Sequence, residues 1–355
     1  MQYIDGVRDL GIVLSPDAPG EAMHPWDGGG MREAVLMAEN GRYYLSYDGA
    51  VPGARSDSYW NACLARSHDL QHWEKIGPRL RTAALSHPDG TPKQYKDLRS
   101  ASSPWTFFDG KKWHIYYLGA DHCSPEGIPA FAYSTMYAWA DTLEGVWHQR
   151  SEEPGMGTQL CLALGKPGEW DDVTASPGPV MENPYYDPAD GSSRRYVMIY
   201  SGSCSGVTKR SLGLAYTDAL DTTGACGDPD GAFWEKDPAP ILPPEDDIEN
   251  ASVYFEEESG LYWLFTNHIY QNAYTDSIWV YWSHDLRHWD PANKAIVMDA
   301  SCNGWAKGAI GMPSVIKKDD GHLMMLFDAV KGDGIGHLER HIGAAEIALP
   351  IRLRG

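Results

Sequence analysis

The sequence predicts an all-β fold, and two observations favour a five-bladed β-propeller with about four antiparallel strands per blade. The first is a repeated phrase. Residues 67–73, Ser-His-Asp-Leu-Gln-His-Trp, return at 283–289 with one change, Gln to Arg, and degenerate copies occur at 133–147 and 216–234. The second is a hairpin signal that recurs along the chain. A phrase repeated at roughly even spacing indicates one structural unit used several times.

The predicted hairpins follow one another in order. Each begins with a short apolar strand, turns at Gly or Asp-Gly, and returns on an aromatic-rich strand, a pattern typical of β-hairpins. The paired strands are predicted at 34–37 and 43–47, 105–108 and 113–117, 178–181 and 196–200, 252–255 and 262–265, and 313–316 and 323–327.

A third strand follows several of these hairpins, at 61–66, 211–216 and 277–282, and the repeated phrase leads from it into a fourth strand. Five such units use the whole chain, so residues 1–355 are predicted to form a single domain. No amphipathic helical pattern of useful length is present. A two-sheet sandwich also contains Gly-rich hairpins, but it would not predict the same phrase after the third strand.

Composition excludes some classes of partner. The net charge of -20 and the pI of about 4.9 disfavour nucleic acid and anionic membranes. No run approaches the roughly 18–20 apolar residues of a membrane span. The N-terminus lacks a signal-peptide pattern, which predicts a cytoplasmic protein, or a secreted or periplasmic one if a signal has been trimmed. The six cysteines form no C-x-x-C pair, so no metal site is predicted and free thiols are expected.

The first strands of propeller blades line a central channel, and the residues just before them converge on one mouth. Two carboxylates, Glu33 and Glu249, precede the first strands of the first and fourth units. Paired carboxylates across a cleft are what cleavage of a glycosidic bond requires, because one protonates the leaving oxygen while the other activates water or attacks the anomeric carbon.

With these residues, the sequence resembles the five-bladed β-propeller glycosidases, the glycoside hydrolase families 43, 32, 68, 117 and 130 and their relatives. The resemblance rests on the fivefold pattern and the Ser-x-Asp-Leu-x-x-Trp phrase, and it extends from about Gly11 to Leu353. In families 43 and 32, an aspartate shortly before a Tyr-Tyr-Leu-type strand is the base or nucleophile, and Glu33 precedes such a strand here. Glu249 corresponds to the acid on blade four.

The resemblance implies a glycosidase acting on an oligo- or polysaccharide. It implies Glu249 as general acid and Glu33 as base or nucleophile. A third carboxylate of these families is replaced by Ser176-Pro177, and Asp172 is predicted to assist in its place. No cofactor is expected, although some relatives hold a structural calcium ion in the channel. The predicted substrate-binding residues are Arg32, Asp27, Trp26, Arg99, Trp105, His268 and Trp305.

Each of these residues also has a structural interpretation. Glu33 could form an ordinary ion pair with Arg32, Glu249 could belong to a solvated acidic loop, and Asp172 could close a turn. His268 and the tryptophans could be scaffold or core residues. Two other functions stay open: a family 130-like phosphorylase, which needs a basic cluster for phosphate, and a non-catalytic carbohydrate-binding propeller. The sequence does not indicate the oligomeric state.

Overall fold

The structure is a computed structural model that describes residues 1–16, 25–53, 60–82, 97, 100–120, 134–153, 160–204, 207–221, 234–270, 273–336 and 338–354. In this part of the chain the fold is all-β, as predicted. The helical elements there are two 3-10 helices, Arg150–Glu152 and Pro244–Asp246. None of the described residues form a helix with the length and hydropathy that a membrane crossing requires.

The strands form four sheets. The largest joins two antiparallel units through a single parallel pair, Asn61 with Ala101. Unit 1 contains β2 (Gly30–Glu39), β3 (Arg42–Ala50), β4 (Trp60–Ser67) and β5 (Glu74–Pro78), and unit 2 contains β6 (Ser100–Phe108), β7 (Trp113–Ala120), β8 (Ser134–Ala140) and β9 (His148–Gln149).

The other three sheets each form one unit. Unit 3 contains β10 (Thr174–Ser176), β11 (Val180–Glu182), β12 (Tyr196–Cys204), β13 (Val207–Thr217) and β14 (Glu235–Lys236). Unit 4 contains β15 (Ile248–Glu256), β16 (Leu261–Tyr270), β17 (Ala273–Ser283) and β18 (Lys294–Asp299). Unit 5 contains β19 (Ile310–Lys317), β20 (His322–Val330) and β21 (Arg340–Ala348), and β1 (Val7–Leu14) pairs with β21 as its fourth strand.

Nearly all predicted hairpin strands lie within observed strands. The exception is 178–181, where the first strand of unit 3 is divided between β10 and β11. Pro177 and Pro179 lie in the gap, and proline has no N–H to donate to a ladder. The pairing of β1 with the C-terminal strand was not predicted, because β1 carries no copy of the repeated phrase.

The repeated phrase forms a tight turn in both copies. In the first, the Ser67 hydroxyl accepts the backbone N–H of Asp69 and of Leu70, and His72 bonds to the Asp69 carboxylate at 2.7 Å. The second copy repeats the serine contact at 3.0 Å and the His-Asp contact at 2.8 Å. The phrase is therefore a scaffold element, and its histidines serve the turn.

Neighbouring units are joined by one recurring hydrogen bond. In four units the first strand bulges, and one non-glycine residue of the bulge has a positive φ. Its backbone N–H donates to a side chain on the second strand of another unit. The pairs are Glu33 to Asp328 at 2.7 Å, Ser103 to Asp48 at 2.7 Å, Asn250 to Ser201 at 3.0 Å and Met312 to Asn267 at 3.0 Å.

Candidate active site

The bulges determine which side chains the first strands present. A non-glycine residue with positive φ is uncommon and costs backbone strain, and bulges often re-aim a side chain near a functional site. Glu33, with a φ of 56°, and Asn250, with a φ of 63°, are two of these residues. The bulged ends of the first strands therefore form the candidate site.

The strand register corrects the expected equivalence of the two glutamates. Arg32 pairs with Asp48 just before the bulge of unit 1, and Glu249 pairs with Asn267 just before the bulge of unit 4. Glu249 is thus the counterpart of Arg32, one residue earlier than the place that Glu33 occupies. The sequence offers no signal for this offset, because a bulge adds a residue without any characteristic motif.

Glu33 lies in a network of ion pairs. Its side chain is 14% exposed. The Ser103 hydroxyl donates to its carboxylate. Arg32 Nε lies 3.4 Å from Glu33 Oε1 and 3.4 Å from Asp48 Oδ2, and the guanidinium packs 4.0 Å from the centre of the Trp60 ring. Glu33 is therefore held by an arginine that it shares with a second carboxyl group.

Burial and crowding displace the carboxyl pKa values. Burial raises the pKa of Glu33; Arg32 opposes this, and the charges of Asp328 and Glu249 add to it. Burial, followed by the charge of Glu33, raises the pKa of Asp48 well above its usual range. The pKa of Asp328 is raised by burial despite its 2.9 Å ion pair with Arg340. The region around Glu33 therefore favours protonated carboxyl groups.

Glu249 occupies a different environment in the same region. Its side chain is 30% exposed, and Arg210 Nε lies 3.3 Å from its Oε1 atom. Its negative charge contributes to the raised pKa of both Glu33 and Tyr274, which places it within electrostatic reach of both. The structure thus brings the two predicted carboxylates into one region, one buried and crowded, the other more exposed and paired with an arginine.

Asp172 lies in a turn, where its Oδ2 atom accepts the Gly168 N–H at 2.7 Å. The carboxyl groups that surround Glu33 are those of Asp48 and Asp328, at the ends of the second strands of units 1 and 5. The prediction missed both. A sequence signal existed, because each follows an aromatic residue near the end of a predicted second strand, Tyr47-Asp48 and Phe327-Asp328.

Asp27, a predicted substrate-binding residue, has scaffold contacts in unit 1. It is 0% exposed, accepts the Tyr47 hydroxyl at 2.9 Å and pairs with Lys75 at 2.7 Å. Unit 3 repeats the arrangement with Asp171, Tyr200 and Lys236. A buried carboxylate that has the same partners in two units is explained by the fold.

The remaining predicted binders have mainly packing contacts. Trp26 and Trp305 are partly buried against hydrophobic core clusters, with Trp305 stacked on Phe327. His268 stacks on Trp279, bonds to the Tyr281 hydroxyl at 3.0 Å, and has its pKa lowered to about 4, chiefly by burial. Arg99 lies outside the described residues.

Trp105 is closer to the candidate site. It is 6% exposed and belongs to a small apolar cluster formed by the first strands of units 1, 2 and 5 together with the β16–β17 hairpin. The members of this cluster are Val35, Trp105, Ile269, Tyr274, Ala309 and Met312.

Possible metal-binding side chains of the described residues already have positively charged partners. One group of possible ligands has the required proximity, Asp320, His322 and Glu346. The Lys318 ammonium lies 2.7 Å from both carboxylates of this group and already supplies the positive charge. At the candidate site, the Asp328 carboxylate is paired with the Arg340 guanidinium, which supplies the positive charge there.

Comparison with known proteins supports the fold. No protein-family model and no curated protein matches the sequence. Among solved structures, a protein described as a glycoside hydrolase is 15% identical with a TM-score of 0.67, covering 96% of this chain and 92% of its own. A family 117 glycoside hydrolase, Zg3597 from the marine bacterium Zobellia galactanivorans, is 16% identical with a TM-score of 0.61, covering 97% and 90%.

A third match is the family 43 β-1,3-galactosidase BT0265, with 12% identity and a TM-score of 0.52, covering 94% of this chain and 59% of the other. The resemblance to the propeller glycoside hydrolases is thereby confirmed at the level of the fold. At these identities the comparison carries no residue roles.

Proposed function

We propose that this protein is a glycoside hydrolase that cleaves a glycosidic bond of an oligo- or polysaccharide with Glu33 and Glu249. One observation carries the proposal: two carboxyl groups lie in one region but in unlike environments. Such a difference separates the acid from the base in carboxylate-pair catalysis. The glycoside hydrolases that share the fold make a carbohydrate substrate the natural choice.

We further propose that the units close into a single five-bladed propeller. The bulge hydrogen bonds join unit 1 to unit 2, unit 3 to unit 4, unit 4 to unit 5, and unit 5 to unit 1. Between units 2 and 3, the Thr135 hydroxyl donates to the Ala175 carbonyl at 2.5 Å. These contacts support a ring in which the bulged ends of the first strands surround one mouth.

The environments favour roles opposite to those that the resemblance implies. Glu33 is the proposed general acid, because burial and neighbouring carboxyl groups keep it protonated to higher pH. Arg32 is equidistant from Glu33 and Asp48, and one positive charge cannot compensate two buried carboxylates. Glu249 is the proposed base or nucleophile, because its carboxylate is the more exposed of the two and lies 3.3 Å from the Arg210 guanidinium.

A family 130-like phosphorylase is less well supported. Phosphate would require cations available to a dianion. Arg32, Arg210 and Arg340 are the cations of this region in the described chain, and each is within ion-pair distance of a carboxylate. We therefore expect turnover to be independent of added inorganic phosphate, and phosphate-dependent turnover would favour the phosphorylase.

Leaving-group dependence tests the proposal. The purified chain is assayed on 4-nitrophenyl and 2,4-dinitrophenyl glycosides and on oligosaccharides, alongside Glu33→Gln and Glu249→Gln. On oligosaccharides both variants should lose about 10²–10⁴-fold in kcat/KM. The 2,4-dinitrophenolate group leaves without a proton, so Glu33→Gln should retain most of its activity on that substrate, and Glu249→Gln should not.

Glu258→Gln is the matched control, because Glu258 is an exposed residue in the turn at the far end of the same hairpin as Glu249. It should behave as wild type. The reverse leaving-group pattern would exchange the two roles. Full activity in both site variants would refute the carboxylate pair, and sugar binding without turnover of any substrate would identify a binding propeller instead.

A further inference from the structure

Tyr274 is the polar member of the apolar cluster beside the candidate site. It lies near the start of β17 and pairs with Ile269 of β16. Its side chain is 7% exposed. The cluster draws on three first strands and the β16–β17 hairpin, so the ring lies where the units converge. This placement follows from the fold and was not predicted from the sequence.

The tyrosine ring is fixed in place from two sides. The Arg340 guanidinium lies 4.2 Å from the ring centre, and Arg340 is paired with Asp328, which also accepts the Glu33 N–H. Against the ring lies Gly311, where a β-carbon would come within 2.1 Å of Tyr274 Cδ2. Tyr274 and Glu33 are therefore connected through a short, buried chain of contacts.

The hydroxyl group of Tyr274 is available as a donor. Its oxygen accepts the Asn250 side-chain N–H at 3.2 Å, and its proton has no acceptor among the described residues. Burial, followed by the charge of Asp328, raises the phenol pKa well above its usual value, with Glu33 and Glu249 adding to the effect. The group is thus a neutral phenol beside Asn250 of the unit 4 bulge, with one O–H to donate.

We propose that Tyr274 is a specificity-determining residue, which donates its hydroxyl proton to one oxygen substituent of the sugar ring held between Glu33 and Glu249. The proposal rests on the proposed glycosidase function and extends it to a choice among sugars. A buried donor left without an acceptor destabilises the complex, so a sugar lacking that oxygen should bind less well. The site therefore selects for a sugar oxygenated at one position.

A double-substitution cycle, in which the enzyme loses a hydroxyl group and the sugar loses an oxygen, tests this proposal. The glycoside that wild type cleaves best is compared with its monodeoxy analogues, in wild type and in Tyr274→Phe. Tyr274→Phe should lower kcat/KM about tenfold for the parent glycoside. It should make almost no difference for one analogue, the one that lacks the acceptor oxygen. Equal losses for every analogue, or no loss for the parent, would overturn the proposal.

A control and a second measurement separate the two hypotheses. Tyr262→Phe removes a hydroxyl from the opposite end of β16 and should leave kcat/KM unchanged. The same cycle is run on binding of the free monosaccharide and its deoxy forms, by saturation-transfer NMR titration. If sugars bind but no glycoside is cleaved, the proposed glycosidase function is refuted. The Tyr274 proposal is then decided by the binding measurements on the monosaccharide and its deoxy forms. Absence of both cleavage and binding overturns both.

Discussion

Two features of Glu33 destabilise the folded protein. Its φ is positive, and its carboxyl group is buried beside other carboxyl groups. Its raised folded-state pKa means that the folded protein binds this proton more tightly than the unfolded chain. The resulting stability is complete below the unfolded pKa and is lost as pH rises through the folded pKa. The residue proposed as the acid is thus one that destabilises the fold at neutral and alkaline pH.

We therefore expect Glu33→Gln to be more stable than wild type at pH 8, because the variant has no buried carboxylate to ionise. Arg32 keeps Asp48 as its partner in the variant. The gain should shrink towards pH 4, as measured by urea unfolding across the pH range. Glu258→Gln should follow wild type throughout. A gain that is constant with pH would show that the carboxyl charge is not its cause.

For Asp27 we expect the opposite result: its substitution should lower the stability of the fold and have little effect on the reaction. Its replacement by Asn removes a buried negative charge from Lys75 and should cost about 3–5 kcal/mol of unfolding free energy. The kcat/KM of folded Asp27→Asn, measured at low temperature, should stay within a few-fold of wild type. Asp171→Asn is the matched variant in unit 3. A far larger loss of activity in Asp27→Asn than in Asp171→Asn would restore Asp27 as a substrate residue.

At the level of elements, the sequence predicts the hairpins well and the bulges poorly. Strand pairs around Asn-Gly and Asp-Gly turns are recognisable because alternation and turn chemistry are local. The offset of Glu249 relative to Glu33 is not, because it depends on how each first strand is held by the neighbouring unit. The burial of Asp27 was not predictable for a related reason: a polar residue beside glycines resembles a site, and only packing shows that it is buried.

Gly311 shows how one strand shapes its neighbour. Any side chain there would overlap the Tyr274 ring. We expect Gly311→Ala to lower the free energy of unfolding by about 1–3 kcal/mol, as overpacking does, and to lower kcat/KM by displacing the ring. Gly191→Ala is the control, because a β-carbon at Gly191 meets no atom within 4 Å. Wild-type stability and activity in Gly311→Ala would show that the ring has room to move.

For the whole molecule, composition and repetition predict the all-β class that the structure shows, and the hairpins predict the fivefold count. The candidate site was only half predictable. The two glutamates lie near the beginning of first strands, in β2 and β15, and this position can be read along the chain. Asp48, Asp328, Arg340 and Tyr274 come from second and third strands and reach the site only when different units pack together. Contacts between units leave no local pattern in the sequence.

Completion of unit 5 by β1 is the feature that connects the two ends of the molecule. β1 covers the edge of β21, and Ile4 just before it lies in the core cluster of units 4 and 5. Ile4 and Leu14 are both buried, and burying two such side chains contributes about 3–6 kcal/mol. Removing residues 1–14 would also leave β21 as an unpaired edge strand.

We expect this truncated chain to unfold at a much lower temperature than wild type and to aggregate through the β21 edge, as followed by calorimetry and light scattering. A synthetic peptide of residues 1–16 should restore the melting temperature in a concentration-dependent way, because binding to the folded state alone stabilises it by mass action. A peptide of the same composition in scrambled order should not. If the truncated chain melts as wild type does, the N-terminal strand does not hold unit 5 together.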